Sequence, residues 1–203
     1  MSSQVFPTKN NLIATKKSLE LANLGYDLMD RKRNILVREM MSLIDDASQV
    51  QNEINSAYAG AYDALQQANF TMGSCYGFAE NIPVDNSLEI SVRSVMGVEL
   101  PTISIDKSKR FLYYGLSSTN SFLDEAYIKF DEVKQLTVRL AEIESNVFRL
   151  ADAIKKTQKR TNALSNVMIP RFISTVKFIS DALDEKERED FSRLKVIKRQ
   201  KRG

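Results

Sequence analysis

The chain has 203 residues, 43% hydrophobic and 27% charged, with a formal net charge of +3. So small a charge balance does not by itself imply nucleic-acid binding. With no histidine and a single cysteine, Cys75, the composition leaves no internal disulfide, no Cys/His metal site and no Ser-His or Cys-His nucleophile pair.

A lone cysteine also fits a reducing compartment. No run of 18 apolar residues exists, so no direct membrane insertion is expected. The opening MSSQVFPTKNN lacks the apolar core of a secretory leader. Asp and Glu are scattered along helical repeats, where they read as a solvated face rather than as paired catalytic carboxylates. No cofactor is expected.

From Leu12, steps of seven reach Leu19, Tyr26, Arg33, Met40, Ala47, Ile54, Ala61 and Ala68, and eight of these nine positions are apolar. The companion series Thr15, Ala22, Met29, Leu36, Leu43, Val50, Ala57 and Ala64 is apolar at seven of eight. Repeats sustained over so many heptads predict a coiled-coil seam rather than a merely amphipathic helix. Thr8, just after Pro7, is placed to cap its start. A helix of this range is roughly 85 Å long and must pair with something.

Residues 71–118 are different. Six of the chain's 11 Gly and Pro residues fall there. SLEISVRSVMGVELPTISI alternates at Leu88, Ile90 and Val92, then at Val98, Leu100 and Ile103, which predicts a hairpin about Gly97. FTMGSCYGF (70–78) predicts a loop or short helix.

The third segment supplies the partner. From Ala126 the heptads run through Val133, Leu140, Val147, Ile154, Thr161, Met168, Thr175 and Ala182. Their companions are Lys129, Leu136, Ile143, Leu150, Thr157, Leu164, Arg171 and Phe178. This seam is strong to Ile154 and turns polar beyond it. Ser121 and Asp124 have capping-box spacing.

The fold class expected is therefore all-α dominated. It is a long antiparallel two-helix coiled coil of the N-terminal (1–70) and C-terminal (119–203) segments, with a small head (71–118) containing a β-hairpin. Antiparallel closure makes positions whose numbers sum to roughly 190 face one another: Leu12 with Phe178, Leu36 with Ile154, Ala47 with Ile143. About 15–20 residues after Leu183 then overhang as a lone helix, which is marginal in water.

Apolar residues also lie off the seam. Leu21, Leu24, Leu28, Ile35, Val37, Met41 and Ile44 do so in the first rod. Val167, Ile169, Phe172, Ile173, Val176 and Ile179 do so in the second. They read either as a partner surface or, in part, as seam assigned to the wrong phase. Tyr58, Tyr62 and Leu65 form a second stripe near the head, which Phe130 joins from the other rod, and which the hairpin is an alternative candidate to cover. The basic end RLKVIKRQKRG follows the acidic DEKERED, an order that complements the helix dipole. It lacks the aromatic interleaving of a nucleic-acid tail. Pro170 and the polar run TQKRTN (157–162) inside a helical pattern remain to be explained, since an interior proline costs about 3 kcal/mol.

FPTKNNL (6–12), KTQKRTNALSNVMIPRF (156–172) and LDEKEREDFSRLKVIKRQK (183–201) resemble blocks of the D subunits of V-type and archaeal-type rotary ATPases, and the likeness covers nearly the whole chain. Thr161 and Ser165 depart from the expected apolar and acidic residues. The resemblance implies a non-catalytic central-stalk rotor. It transmits torque between ATP hydrolysis or synthesis in the catalytic A/B hexamer and proton or sodium translocation by a membrane ring. It implies an F subunit beside the coil, a funnel-shaped subunit linking to the ring, and a cytoplasmic location peripheral to the membrane. Partner contacts are then expected at Thr157, Arg160, Asn162, Val167, Ile169, Arg171 and Phe172 for the sleeve, and at Tyr58 and Tyr62 for the smaller partner. The rival reading is a generic coiled-coil scaffold or tether.

Overall fold

The computed structural model describes residues 6–105, 113–115, 117 and 119–201. Three long helices carry most of them: α1 (Lys9–Met72), α3 (Ser121–Ala163) and α4 (Ile169–Gln200), with a π-helical turn, Leu164–Met168, between the last two. A short helix α2 (Tyr76–Ala79) and strands β1 (Leu88–Val95) and β2 (Val98–Ile105) lie between α1 and α3. The parts of the expected head at 106–112, 116 and 118 lie outside the described residues.

Helix α1 starts as its sequence demands. Thr8 Oγ1 accepts from the Asn11 backbone N–H at 3.2 Å, satisfying one of the orphan donors of the first turn. It ends at Gly73, whose φ of +82° is the left-handed conformation that glycine adopts without strain. The start of α3 departs from expectation. The cap is Asn120, whose Oδ1 accepts from Leu123 N–H at 3.2 Å, and not Ser121. Asp124 instead accepts a hydrogen bond from the Tyr114 hydroxyl at 2.7 Å.

The chain divides into two units, Met1–Asn34 with Lys155–Gly203, and Ile35–Ile154. In the second, the seam is antiparallel in the expected register. Leu36 and Leu150 share a cluster with Met40, Leu43 and Ile154. Val50, Ile54 and Ile143 share one with Ala47, Leu136 and Leu140. Ala68 meets Leu123 and Cys75. Leu36 and Leu150 are fully buried, and truncating either to Ala would cost about 2–5 kcal/mol.

The hairpin belongs to this second unit. Strands β1 and β2 pair antiparallel, Leu88↔Ile105 through Val95↔Val98. Met96 and Gly97 link them with φ of 51° and 75°, the two positive values of a type I′ turn whose twist suits a hairpin. Leu100, completely buried, plugs the hairpin into the Leu36–Leu150 cluster beside Val95 and Val98. Helix α3 binds the outer edge of β2: Ile103 N–H donates to Glu142 Oε2 (3.2 Å) and Arg149 Nη1 donates to the Glu99 carbonyl (3.1 Å). These bonds put the odd-numbered residues of β2 on the outer edge. Pro101, one of them, therefore lacks an N–H where the ladder needs none. Arg93 pairs with Glu39 at 2.9 Å. Asp85, before β1, takes hydrogen bonds from Lys134 Nζ (2.7 Å) and Ser87 N–H (2.9 Å); these hold its carboxyl well below the usual range.

In the first unit, α4 is exposed at every residue from Asp184 to Gln200. Among the described residues, the ion pair that links this stretch to α1 is a surface one, Lys9–Glu187 at 3.2 Å, of a kind worth little. Native-state hydrogen exchange on the isolated chain should show little protection beyond residue 185. Strong protection there would mean that this segment is packed rather than overhanging.

Candidate functional site

The first unit carries Thr157, Arg160, Asn162, Val167, Ile169, Arg171 and Phe172, the residues expected from the sequence to contact a sleeve. Its two segments run antiparallel. Arg33 meets Gln158, a side chain on Gly25 would meet Leu164, and Lys9 meets Glu187.

Every seam position of α1 from Leu12 to Ala68, and every one from Ala126 to Leu164 in the second rod, is buried or half-buried. After the π turn the pattern shifts. Of the extrapolated seam, Met168, Arg171 and Phe178 are exposed, Phe178 at 59%, while Thr175 and Ala182 stay half-buried. Ile169, Phe172 and Val176 are covered in their place, and Ile179 is buried completely. The expected facing of Leu12 by Phe178 is thereby corrected, because the buried position is Ile179. The cause is one extra residue in the wide turn, where Ile169 N–H donates to the carbonyl of Leu164, five residues back. At 3.6 residues per turn, one insertion rotates the following helix by about 100°. The wide turn also answers the question that Pro170 poses. In a regular helix its ring would strike the carbonyl of Asn166. Opening the turn just before it makes room, and Pro170 then sits in the first turn of α4, where no N–H is missed.

The polar run has its own logic. Thr157 and Thr161 point inward and are buried, so Thr157 lies in the seam rather than on an outer face. Thr161 Oγ1 donates to the Thr157 carbonyl at 3.0 Å, which removes the penalty of a buried unpaired hydroxyl. Beside them lies a polar layer. Arg33 bonds Gln158 Oε1 at 3.0 Å and pairs with Asp30, while Gln158 Nε2 donates to Asn162 Oδ1 at 2.8 Å. A polar layer inside an apolar seam fixes register, because sliding would leave its members unpaired.

What remains outward is a mixed surface. Arg160, Asn162, Val167 and Arg171 are exposed, Ile169 and Phe172 half-buried. From α1, Leu21, Leu24 and Leu28 are more than half exposed, and Val167 and Ile173 add to them from the second segment. Of the off-seam apolar set in the second rod, then, Ile169, Phe172, Val176 and Ile179 are seam in a shifted phase, and the others are surface.

The second candidate region is in the other unit. Tyr58 and Tyr62 stack at 6.0 Å, and Phe130 meets Tyr62 edge-on at 5.6 Å. Tyr58 is half-buried against the Val50–Ile143 cluster, whereas Tyr62 is 58% exposed. A groove continues from Tyr62 along Leu65, Gln66, Asn69 and Phe70. The hairpin, plugged in at Leu100, leaves Tyr62 uncovered.

Among the described residues no group of His, Cys, Asp and Glu could hold a metal ion, and no helix is long and apolar enough to cross a membrane. The profile of the ATP synthase D subunits matches residues 11–199. The chain belongs to the family of ATP synthase D subunits. It is 45% identical over 196 residues to the V-type ATP synthase D subunit of Thermotoga neapolitana, covering 96% of this chain and 97% of that one. It is 40% identical over 200 residues to the A-type ATP synthase D subunit of Pyrococcus furiosus (96% and 94%), and 38% identical over 200 residues to that of Pyrococcus abyssi (96% and 94%). As a D subunit, the chain is one component of a V/A-type ATP synthase, in agreement with the resemblance of its terminal blocks.

The interhelical link from Arg33 is testable in the isolated chain. Arg33→Ala should lower stability by about 1–2 kcal/mol, modest because the layer is partly exposed. A double-mutant cycle with Gln158→Ala should give a coupling of about 0.5–1 kcal/mol by urea denaturation. Additive effects would place the two side chains out of contact.

Proposed function

We propose that this D subunit is the central-stalk rotor of its ATP synthase. It makes and breaks no bond itself. It transmits torque between the catalytic A/B hexamer, which surrounds the first unit, and ion translocation by a membrane ring. A small partner, in the role of the F subunit, lies along the Tyr62 groove. A funnel-shaped subunit links the chain to the ring, and the whole is peripheral to the membrane on the cytoplasmic side.

The observation that carries this reading is the pairing of two long helices by an almost uninterrupted seam, in a chain matched along nearly its full length by the family profile. Torque transmission requires a member that resists twisting. Two helices with interlocked seams resist it better than one. A polar layer that penalises sliding and a seam phase set by the π turn support the same reading, since a shaft whose strands slipped would dissipate the work. The outward apolar residues of the first unit support a surrounding protein surface, as exposed sets of this size mark partners.

The test uses the reconstituted complex. Charge reversal at Arg160 or Arg171, or deletion from Asp184 onward, should lower ATP-driven ion pumping several-fold, while the helicity of the isolated charge-reversal variants stays unchanged and that of the truncated chain falls only by the helical residues removed. Unimpaired pumping in all three would count against a functional sleeve contact. Tyr62→Ala should weaken capture of the small partner at least about tenfold, the loss of one aromatic anchor, and leave the chain soluble. Aggregation of that variant would assign Tyr62 to the chain's own core.

A further inference from the structure

The two units differ sharply in charge. Met1–Asn34 with Lys155–Gly203 carries 20 Lys/Arg against nine Asp/Glu, whereas Ile35–Ile154 carries nine against 17. The near-neutral total hides a strongly basic unit and a strongly acidic one. The basic excess is concentrated: between Asp152 and Asp181 no acidic residue intervenes, and six Lys/Arg occur.

Lys155, Lys159, Arg160, Arg171 and Lys177 of this stretch are all exposed. None of the five has a carboxylate within 4 Å among the described residues. The shifted seam contributes to this. Had the helix continued regularly, Arg171 would lie in the seam; the extra residue of the π turn puts it outside. Elsewhere the chain matches charges locally, as in Arg33–Asp30, Lys129–Glu125 and Lys134–Asp131. A cationic face left without local partners is a face built for an external one.

We infer that this face seats against a carboxylate-lined protein bore, and that the opposite charge of the other unit makes insertion directional. The inference rests on the rotor reading and adds the chemistry of the sleeve. A protein partner is favoured over a nucleic acid because Val167, Ile173, Leu21, Leu24 and Leu28 lie exposed in the same unit, which phosphate does not match. The basic unit is attracted into an acidic bore, while the unit with excess carboxylates is repelled by it, so only the encounter that presents the basic unit proceeds.

The experiment measures association of the full chain with the A/B hexamer prepared without it. The association rate should fall at least about tenfold between about 50 and 500 mM salt. The Lys155→Glu, Lys159→Glu, Lys177→Glu triple variant should associate about tenfold more slowly at low salt, with unchanged helicity. The opposite reversal in the acidic unit, Asp45→Lys, Asp46→Lys and Glu53→Lys, should not slow it. Association that is equally fast in the first triple variant, or independent of salt, overturns the inference while leaving the rotor reading intact. Absence of any association at low salt, with both components folded, overturns the rotor reading and the inference with it. Duplex DNA binding tighter than hexamer binding at the same salt would assign the face to nucleic acid and overturn the inference as well.

Discussion

A helix of 64 residues cannot bury an apolar stripe against itself. Everything else in this chain follows from that constraint. The stripe of α1 repeats by heptads, so its cover must be another helix with the same repeat, and the C-terminal segment supplies it. Because one chain provides both, they pair antiparallel. Leu36 with Leu150, Val50 with Ile143 and Ala68 with Leu123 then meet in order. The segment between them adds residues to that core, Leu100 to the Leu36–Leu150 cluster and Cys75 to that of Ala68 and Leu123. It attaches from the side, through the fully buried Leu100 and a few backbone-directed side chains of α3.

The seam was legible because periodicity is a local property that needs no knowledge of the partner. The hairpin was legible for the same reason: a two-residue turn with glycine at its second position and alternation on either side. What failed were statements requiring the period to stay constant or a side chain to choose among neighbours. Phe178 was placed inward by continuing the count through Pro170, yet a proline inside a helix has to be accommodated by a break, a kink or a wide turn. The signal was present in the sequence. Ile169, Phe172, Val176 and Ile179 keep heptad spacing one residue out of phase with Leu164, and that offset is what a one-residue insertion produces. Ser121 was preferred as a cap by motif, while Asn120, one residue earlier, is an equally good cap type and won.

Of the candidate site, Arg160, Asn162 and Val167 were readable as off-seam positions, whereas Thr157 and Arg171 both stand at seam positions by the count, and the structure buries the first and exposes the second. Thr157 was taken to serve a neighbour, but it is buried in the seam, and its carbonyl accepts from Thr161 Oγ1. The docking of the hairpin was not readable. Both of its faces carry apolar residues, and nothing local distinguishes Leu100, which is buried, from Ile90 and Val92, which are exposed. Asn146 belongs to the same class. It is 1% exposed on the α3 face that holds β2, its Oδ1 has no hydrogen-bond partner, and such an orphan costs about 1–3 kcal/mol.

In the rotor role proposed above, a shaft that turns within a sleeve would face two opposed demands: it must stay centred, and no single angle may hold it. Close apolar packing meets the first demand and violates the second. Dispersion falls steeply with separation, so each well-packed orientation is a separate trap. Charge attraction behaves differently. It decays over a screening length of about 8–10 Å at ordinary ionic strength, longer than the spacing of neighbouring residues on a helix. A set of unpaired cations such as Lys155, Lys159 and Arg171 therefore produces an attraction that varies little as the surface turns by one residue. Inside, the same chain does the reverse. Arg33 is fixed to Asp30 and Gln158 at short range, and Ile179 is completely enclosed; in the proposed rotor, a defined position there is what would transmit force. For such a rotor, short-range contacts within the shaft and long-range ones at its surface are what the two demands would jointly select.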